Sequence, residues 1–163
     1  MPTNLLLRSA LVVGLGALAG GAAASIPVST AAVTAAESDR EIARCVVTVF
    51  HEETFGRKTT AMIHHAMAPN LIQHDPAIED GRAGFLKYHQ QLLTTYPHYS
   101  AEIRRVTTDG RLVTVHVLER RNPWDRGDVQ IHMYRYVPFV GIAEHWVVRT
   151  PIPATSLNAN GLI

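Results

Sequence analysis

Residues 99–118 read YSAEIRRVTTDGRLVTVHVL, two alternating runs of side chains on either side of an Asp-Gly pair. Alternation with a period of two is typical of a β-strand with two different faces. Asp-Gly favours a two-residue hairpin turn, because that turn needs a positive φ at both of its central residues. The stretch therefore predicts a β-hairpin, with strands over 99–107 and 112–118 joined by a turn at 109–110.

The same period of two continues further along the chain and predicts two more strands, over 128–137 and 140–149. A polar loop over 122–127 precedes the first of them, and Pro138 and Gly141 mark the turn before the second. Sequential strands joined by short turns usually pair with each other. The second half of the chain is therefore predicted to form a four-stranded antiparallel sheet.

Helical periodicity precedes the sheet. Apolar residues recur at helical spacing from Ile42 to Phe50, and Ser38 with Glu41 forms a capping box. Helices followed by antiparallel strands predict an α+β fold, in which the helices cover one face of a curved sheet. The predicted helices span 38–54, 57–67 and 81–95, and a short apolar strand at 71–74 lies between the last two.

The composition excludes several classes of function. The chain has 163 residues, of which 47% are hydrophobic, enough for one domain with a buried core. Its 15 basic and 14 acidic residues leave no positive excess for a phosphate backbone, so nucleic acid is not an expected partner. A single cysteine, Cys45, allows neither an internal disulfide nor a cysteine-based zinc site. Nine histidines are the positive signal, because imidazoles titrate near neutral pH.

Residues 1–36 are predicted to be a secretory signal peptide and a linker of small residues. Arg8 is the only charged residue among them, an apolar run over 10–19 follows it, and small residues over 22–24 and 33–35 offer cleavage sites. The apolar run is shorter than the ~20 residues of a membrane helix. We therefore expect a secreted or cell-envelope protein, without a membrane span after processing, whose domain covers 37–163.

Five motifs resemble one family. They are LIQHDP at 71–76 with GRAGFL at 81–86, LVTVH at 112–116, HMYRY at 132–136, IAEHW at 142–146, and the closing PIP at 151–153. Together they resemble the SnoaL-like polyketide cyclases of the nuclear transport factor 2-like superfamily, over about residues 40–163. The resemblance implies a cone-shaped sheet enclosing one pocket, chemistry without cofactor or metal, and a homodimer. Family members usually carry Asp where His132 and Val147 stand, so this chain lacks both of those carboxylates.

The polar faces of the strands supply the candidate site. Alternation places His116 with Thr114, and His132 with Tyr134, on polar faces of two sequential strands. We expect His116 and His132 to lie opposite each other, about 5 Å apart, with one imidazole neutral and able to act as a base. The opposite faces are predicted to form the homodimer interface, through Val113, Val115, Val117, Ile131 and Met133.

The predicted catalytic residues are His116, His132 and Glu144, and the predicted substrate-binding residues are His74, Tyr88, Tyr134, Arg135, His145 and Trp146. Each has a structural alternative. A histidine between apolar neighbours can be a core residue with one hydrogen bond, Trp146 can be core packing, and Glu144 can pair with Arg135. The spacing of the histidines fits no metal motif, so no metal is expected.

Three functions stay open. The first is a cofactor-independent enzyme that uses acid/base residues in an apolar pocket to cyclise, isomerise or dehydrate a small polyketide- or terpenoid-like molecule. The second is an epoxide-opening enzyme on the same scaffold, and the third is an exported small-molecule-binding protein without catalysis. The histidine-rich faces favour an enzyme, whereas the missing family aspartates favour a binding protein.

Overall fold

The computed structural model describes residues 30–163, which form an α+β fold with one five-stranded sheet. The helices are α1 (Thr30–His51), α2 (Ala61–Ala66) and α3 (Gly81–Thr95), and a π-helical turn (Glu52–Gly56) continues α1. The strands are β1 (Met67–Gln73), β2 (Ser100–Asp109), β3 (Leu112–Arg120), β4 (Asp128–Val137) and β5 (Gly141–Pro151). The order across the curved, unclosed sheet is β1-β5-β4-β3-β2.

The predicted meander is confirmed by the pairing of the strands. β2, β3, β4 and β5 pair antiparallel in the order in which they follow each other. β1 differs, because it joins the edge beside β5 in the parallel direction, with Met67 opposite Ile142. The sheet is therefore mixed. The direction of an edge strand depends on how its connections cross the sheet, and the short apolar run at 71–74 does not encode that.

α1 begins well before the predicted cap at Ser38. The residues from Thr30 onward are rich in alanine, which has the highest helix propensity, so the helix includes them and Ser38 lies within it. Residues 1–29, which hold most of the predicted targeting segment, lie outside the described residues. No helix within 30–163 is both long and apolar enough to cross a membrane.

The core lies between the helices and one face of the sheet, which we call the inner face. Val113, Val115 and Val117 of β3 are buried there in one cluster with Phe50 of α1 and Phe85 of α3. The Phe50 ring lies 5.9 Å from the ring of Phe85 and 5.7 Å from that of Tyr134. Aromatic side chains therefore fill the space beneath the sheet.

The predicted assignment of the faces of β3 is wrong. Val115 pairs with His132 and His116 pairs with Ile131, so His116 and His132 point to opposite faces of the sheet. The three valines of β3 face the helices, because the helices cover the more apolar face of that strand. On β4 the inner face is the polar one, so polarity alone cannot identify the same face on both strands.

The outer face therefore has a different apolar surface from the predicted one. The pairing of the strands places Ile131 and Met133 on this face beside Val148 and Trp146 of β5. Ile72 of the neighbouring strand β1 is 46% exposed, and Val148 is 65% exposed. We call these five residues the outer apolar patch.

Candidate functional site

A row of hydrogen-bonded polar side chains crosses the inner face of the sheet, and we call it the inner polar chain. His145 Nδ1 lies 3.0 Å from Gln73 Oε1, and His145 Nε2 lies 3.0 Å from His132 Nδ1. His132 Nε2 lies 2.8 Å from Gln130 Oε1. Gln130 Nε2 at the other end of that amide donates to Glu119 Oε2 at 2.6 Å. The chain thus connects four strands of the sheet, from β1 to β3.

The alternation of the strands brings these residues together. Gln130, His132 and Tyr134 follow each other at every second position of β4, and Tyr134 pairs with His145 of β5. The rings of Tyr134 and His145 stack with their centroids 4.7 Å apart. Glu119 continues on β3 the row of valines that face the core. Each member is therefore held by a strand backbone and not by a loop.

Burial keeps the imidazoles of the site uncharged. His145 is 1% exposed and His51, at the end of α1, is 2% exposed, and burial lowers the pKa of each to about 3. Burial also lowers the pKa of His132 well below its usual range, and the nearby His51 and His145 add to that effect. The rings of His51 and His132 lie 5.1 Å apart. Burial therefore favours the neutral form of all three histidines.

Glu119 connects the inner polar chain to a cleft. The carboxyl group is 5% exposed, accepts a hydrogen bond from the Tyr99 hydroxyl at 3.1 Å, and has its pKa raised chiefly by burial. The cleft lies between α3 and the ends of β3 and β5, with a volume of about 280 Å³. Its lining residues are Tyr88, Gln91, Leu92, Thr95, Tyr96, Glu119, Arg121 and Arg149.

Two arginines bring positive charge to the cleft. Arg149 donates to the buried carboxylate of Asp75 at 2.6 Å, and Arg121 donates to Asp128 at 3.1 Å. The guanidinium of Arg121 also lies 5.5 Å from the centre of the Tyr96 ring. Guanidinium groups bind carboxylates and other oxyanions. The cleft thus combines a buried carboxyl, two phenol rings and two cations.

The structure divides the predicted site residues between two faces of the sheet. His132, His145 and Tyr134 lie on the inner face, and Tyr88 lines the cleft. The other predicted residues lie on the outer face or at its edge: His74, His116, Arg135, Glu144 and Trp146. The two groups do not form a single site, and the catalytic roles assigned to these residues stay predictions.

The residues on the outer face make surface contacts with each other. Arg135 donates to Glu144 at 2.8 Å, and this hydrogen bond lowers the Glu144 pKa, as the salt-bridge alternative anticipated. The rings of His74 and Trp146 stack at 4.4 Å. His116 Nδ1 lies 3.0 Å from an Arg105 nitrogen, and arginine can only donate, so this imidazole nitrogen accepts.

The sequence patterns did not identify Glu119 and Arg149, which line the cleft, or Tyr99, which donates to Glu119. A signal for Glu119 was present, because it follows Val113, Val115 and Val117 at the same period of two. A carboxyl that continues an apolar face is unusual and indicates a buried acid. Within residues 30–163, no group of three or more His, Cys, Asp or Glu side chains is arranged to hold a metal ion.

The sequence profile of the SnoaL-like domain matches residues 47–150, well over half of the chain. The chain belongs to the SnoaL-like domain family. Solved structures with this fold superpose on most of the SnoaL-like chain. Their sequence identities to it are low, so the likeness concerns the fold alone. No curated protein matches the sequence.

Three solved structures illustrate the likeness to other SnoaL-like folds. A proposed ketosteroid isomerase from Kribbella flavida is 16% identical, with 77% of this chain and 90% of that chain covered and a TM-score of 0.60. A SnoaL-like protein of unknown function from Burkholderia thailandensis is 11% identical, with 69% and 98% covered and a TM-score of 0.59. IdmH, a proposed polyketide cyclase from Streptomyces antibioticus, is 19% identical, with 66% and 91% covered and a TM-score of 0.52.

Proposed function

We propose that the protein is an enzyme of the cyclase or isomerase type, which moves protons on a small oxygenated molecule and uses Glu119 as its acid/base group. The observation that carries this proposal is the position of Glu119, a buried carboxyl in the wall of a cleft. Membership of the SnoaL-like family and the polyketide cyclase and ketosteroid isomerase named among similar structures support the reaction class.

The environment of Glu119 suits acid/base chemistry. General acid–base catalysis is most effective when the pKa of the group lies near the working pH, and burial moves the Glu119 pKa upward in that direction. Within the described residues, its contacts with the Tyr99 hydroxyl and the Gln130 amide both involve Oε2, which leaves Oε1 for a ligand in the cleft. Glu119 thereby supplies a carboxyl group to a chain that lacks the family aspartates at the positions of His132 and Val147.

The lining of the cleft supports a small, partly apolar substrate that carries oxygen. Its volume of about 280 Å³ is close to the lower end of small-molecule sites. Tyr88 and Tyr96 offer ring surface, and the Tyr88 hydroxyl or the Arg149 guanidinium can donate to an oxyanion or enolate. A ring compound with a carbonyl or carboxylate group fits this lining.

Epoxide opening is the second candidate, and the same observation favours it. A carboxyl with a raised pKa holds its proton to a higher pH than a free carboxyl. It can give that proton to an epoxide oxygen as the C–O bond breaks and water attacks the carbon, and the resulting carboxylate takes up the proton that the added water loses. The two candidates share Glu119 and differ in the bond that breaks, so substrates of both kinds belong in one test.

The test measures isomerisation of a cyclohexenone whose double bond lies β,γ to the carbonyl, followed as ultraviolet absorbance of the conjugated product. Styrene oxide serves as the epoxide substrate. We expect Glu119→Gln to lower turnover by about 100-fold, the usual contribution of a general acid or base. Glu144→Gln, the same substitution on the outer face, is the matched control and keeps full turnover.

Three outcomes would count against the enzyme proposal or its site. Equal turnover in the Glu119→Gln protein would exclude Glu119 as the acid/base group. An equal loss in both variants would indicate a general effect on the fold. Saturable binding of the cyclohexenone without turnover would favour the non-catalytic binding protein.

A further inference from the structure

The proton count of the inner polar chain can be followed from its Gln73 end. Gln73 Oε1 accepts the backbone N–H of Asp75 at 3.0 Å, so His145 Nδ1, which lies beside the same oxygen, must donate to it. A neutral imidazole carries one proton, so His145 Nε2 is an acceptor. His132 Nδ1 must then donate across the 3.0 Å contact, which leaves His132 Nε2 as an acceptor.

Gln130 therefore has to present its NH₂ group to His132. The oxygen and nitrogen of a glutamine amide are assigned from the hydrogen bonds that they make, and the amide can be reversed without moving other atoms. Reversed from the orientation that the structure shows, the amide places its NH₂ at the 2.8 Å contact to His132 Nε2 and its oxygen at the 2.6 Å contact to Glu119 Oε2. Two oxygens at that separation need a proton between them, and only the carboxyl can supply it.

The orientation that the structure shows, with the Gln130 oxygen toward His132 and its NH₂ toward Glu119, requires separated charges. Because the oxygen faces His132 Nε2, that nitrogen would need a proton, and the contact between the imidazoles would need another. The two rings would then hold three protons and one positive charge, balanced by an ionised Glu119. Both orientations contain the same number of protons and differ only in where one of them lies.

Burial favours the uncharged orientation. His132 is 5% exposed, like Glu119, and charges removed from water lose hydration that a neutral chain does not need. The hydroxyl of Tyr134 lies 3.3 Å from His132 Nδ1 and can accept a second, weaker hydrogen bond from the proton on that nitrogen. Two uncharged imidazoles and a protonated carboxyl therefore satisfy every link of the chain.

The charged neighbours of the chain shift the pKa of Glu119 both upward and downward. Arg121 and Arg149 favour an ionised Glu119 and Asp128 opposes it, but each arginine is already paired with an aspartate. Burial has the largest effect on the Glu119 pKa and raises it. The other titratable groups near the chain are Tyr88 and Tyr99 at the Glu119 end, and His51 and Asp75 at the imidazole end. His74, at the edge of the outer face, acts on His145 only through its charge.

We propose that Glu119 rests as a carboxylic acid and that Gln130, His132 and His145 hold it in that state as positioning residues behind the cleft. This inference rests on the proposed function and specifies its first step. For this step the carboxyl turns about its Cγ–Cδ bond, so that the O–H moves from Gln130 to the side of the cleft. There the O–H bond breaks, a substrate oxygen gains the proton, and the carboxylate takes a proton back from a substrate carbon or from water. The ionised carboxylate leaves two acceptors facing each other in the chain, which favours this return.

The test records the protonation of the histidine ring nitrogens by ¹⁵N NMR at about pH 7, without substrate, since the two tautomers and the imidazolium give distinct signals. Signals of His132 and His145 are identified by their loss in His132→Gln and His145→Gln. We expect both rings to be neutral and protonated at Nδ1. A proton on His132 Nε2, or an imidazolium at either position, would overturn the inference.

Glu119→Gln gives a second measurement that does not depend on histidine variants. Its side chain cannot ionise, so a resting acid predicts unchanged histidine signals, whereas a resting carboxylate predicts that they change. Infrared spectra should show the carbonyl band of a protonated carboxyl that Glu119→Gln loses and Glu144→Gln keeps. Both measurements are made without substrate and do not depend on turnover. An inactive protein with these signals would therefore contradict the proposed function alone. An active protein with an ionised Glu119 would contradict this inference alone.

Discussion

Acidification should destabilise this protein through its buried neutral histidines. Burial places the folded-state pKa of His51 and His145 at about 3, below the unfolded value of about 6.5. Between these two values the unfolded chain binds protons that the folded chain does not, so the free energy of unfolding falls as the pH falls. His132 acts in the same direction. Glu119 acts in the opposite direction, because its folded-state pKa is raised.

The size of the loss follows from the two pKa values. For a group that titrates at about 3 when folded and about 6.5 when unfolded, acidification from about pH 7 to about pH 5 costs about 2 kcal/mol. His51 and His145 together therefore cost about 4 kcal/mol, a large part of the roughly 5–15 kcal/mol that stabilises a typical domain. At about 2–4 °C per kcal/mol for a chain of this size, the Tm should fall by roughly 10 °C.

The assay is thermal unfolding followed by circular dichroism at constant ionic strength across this range. His51→Phe should remove about 2 kcal/mol of the acid-induced loss. His51 Nε2 has no partner within the described residues, so phenylalanine sacrifices no hydrogen bond at that atom and keeps the ring contact with Phe55. His64→Phe, on an exposed part of α2, is the matched control.

Two results would refute this reasoning. A Tm that is constant or rises on acidification would mean that the buried imidazoles do not stay neutral in the folded state. An identical acid-induced loss in His51→Phe and in the unmodified protein would mean that His51 does not contribute to it.

Three further predictions concern other parts of the molecule. His116→Gln should leave turnover unchanged and alter the free energy of unfolding by less than about 0.5 kcal/mol in denaturant titrations, because this side chain lies on the outer face. A loss of turnover of about 100-fold would instead identify His116 as an acid/base residue. We propose a homodimer that buries the outer apolar patch, so Val148→Lys should give a monomer by light scattering, and a monomeric unmodified protein would contradict this. We also propose export, and intact-mass analysis of secreted protein should find a start between about residues 25 and 37, whereas an intact Met1 would exclude cleavage.

Local patterns in the sequence predicted most of the secondary structure. The bounds of α3 (Gly81–Thr95) and β4 (Asp128–Val137) agree with the structure. The predicted hairpin is present, with its turn one residue later than predicted, at 110–111, because Asp109 still pairs with Leu112. Helical and strand periods are properties of neighbouring residues, so they can be read without knowledge of the fold. The start of α1 was wrong because the propensity of its alanines outweighed the capping signal of Ser38.

Only the tertiary structure decided which face of each strand is buried. Alternation shows that His132 and Tyr134 share a face, and that Val115 and Val117 share one, but not that both pairs face the helices. That choice depends on the register between strands and on where the helices pack, which involve residues far apart in the chain. The same long-range packing placed Glu119 beside Gln130 at the cleft and moved His116 to the outer face. The sequence by itself determined the elements and the family, and the packing of distant residues determined the site.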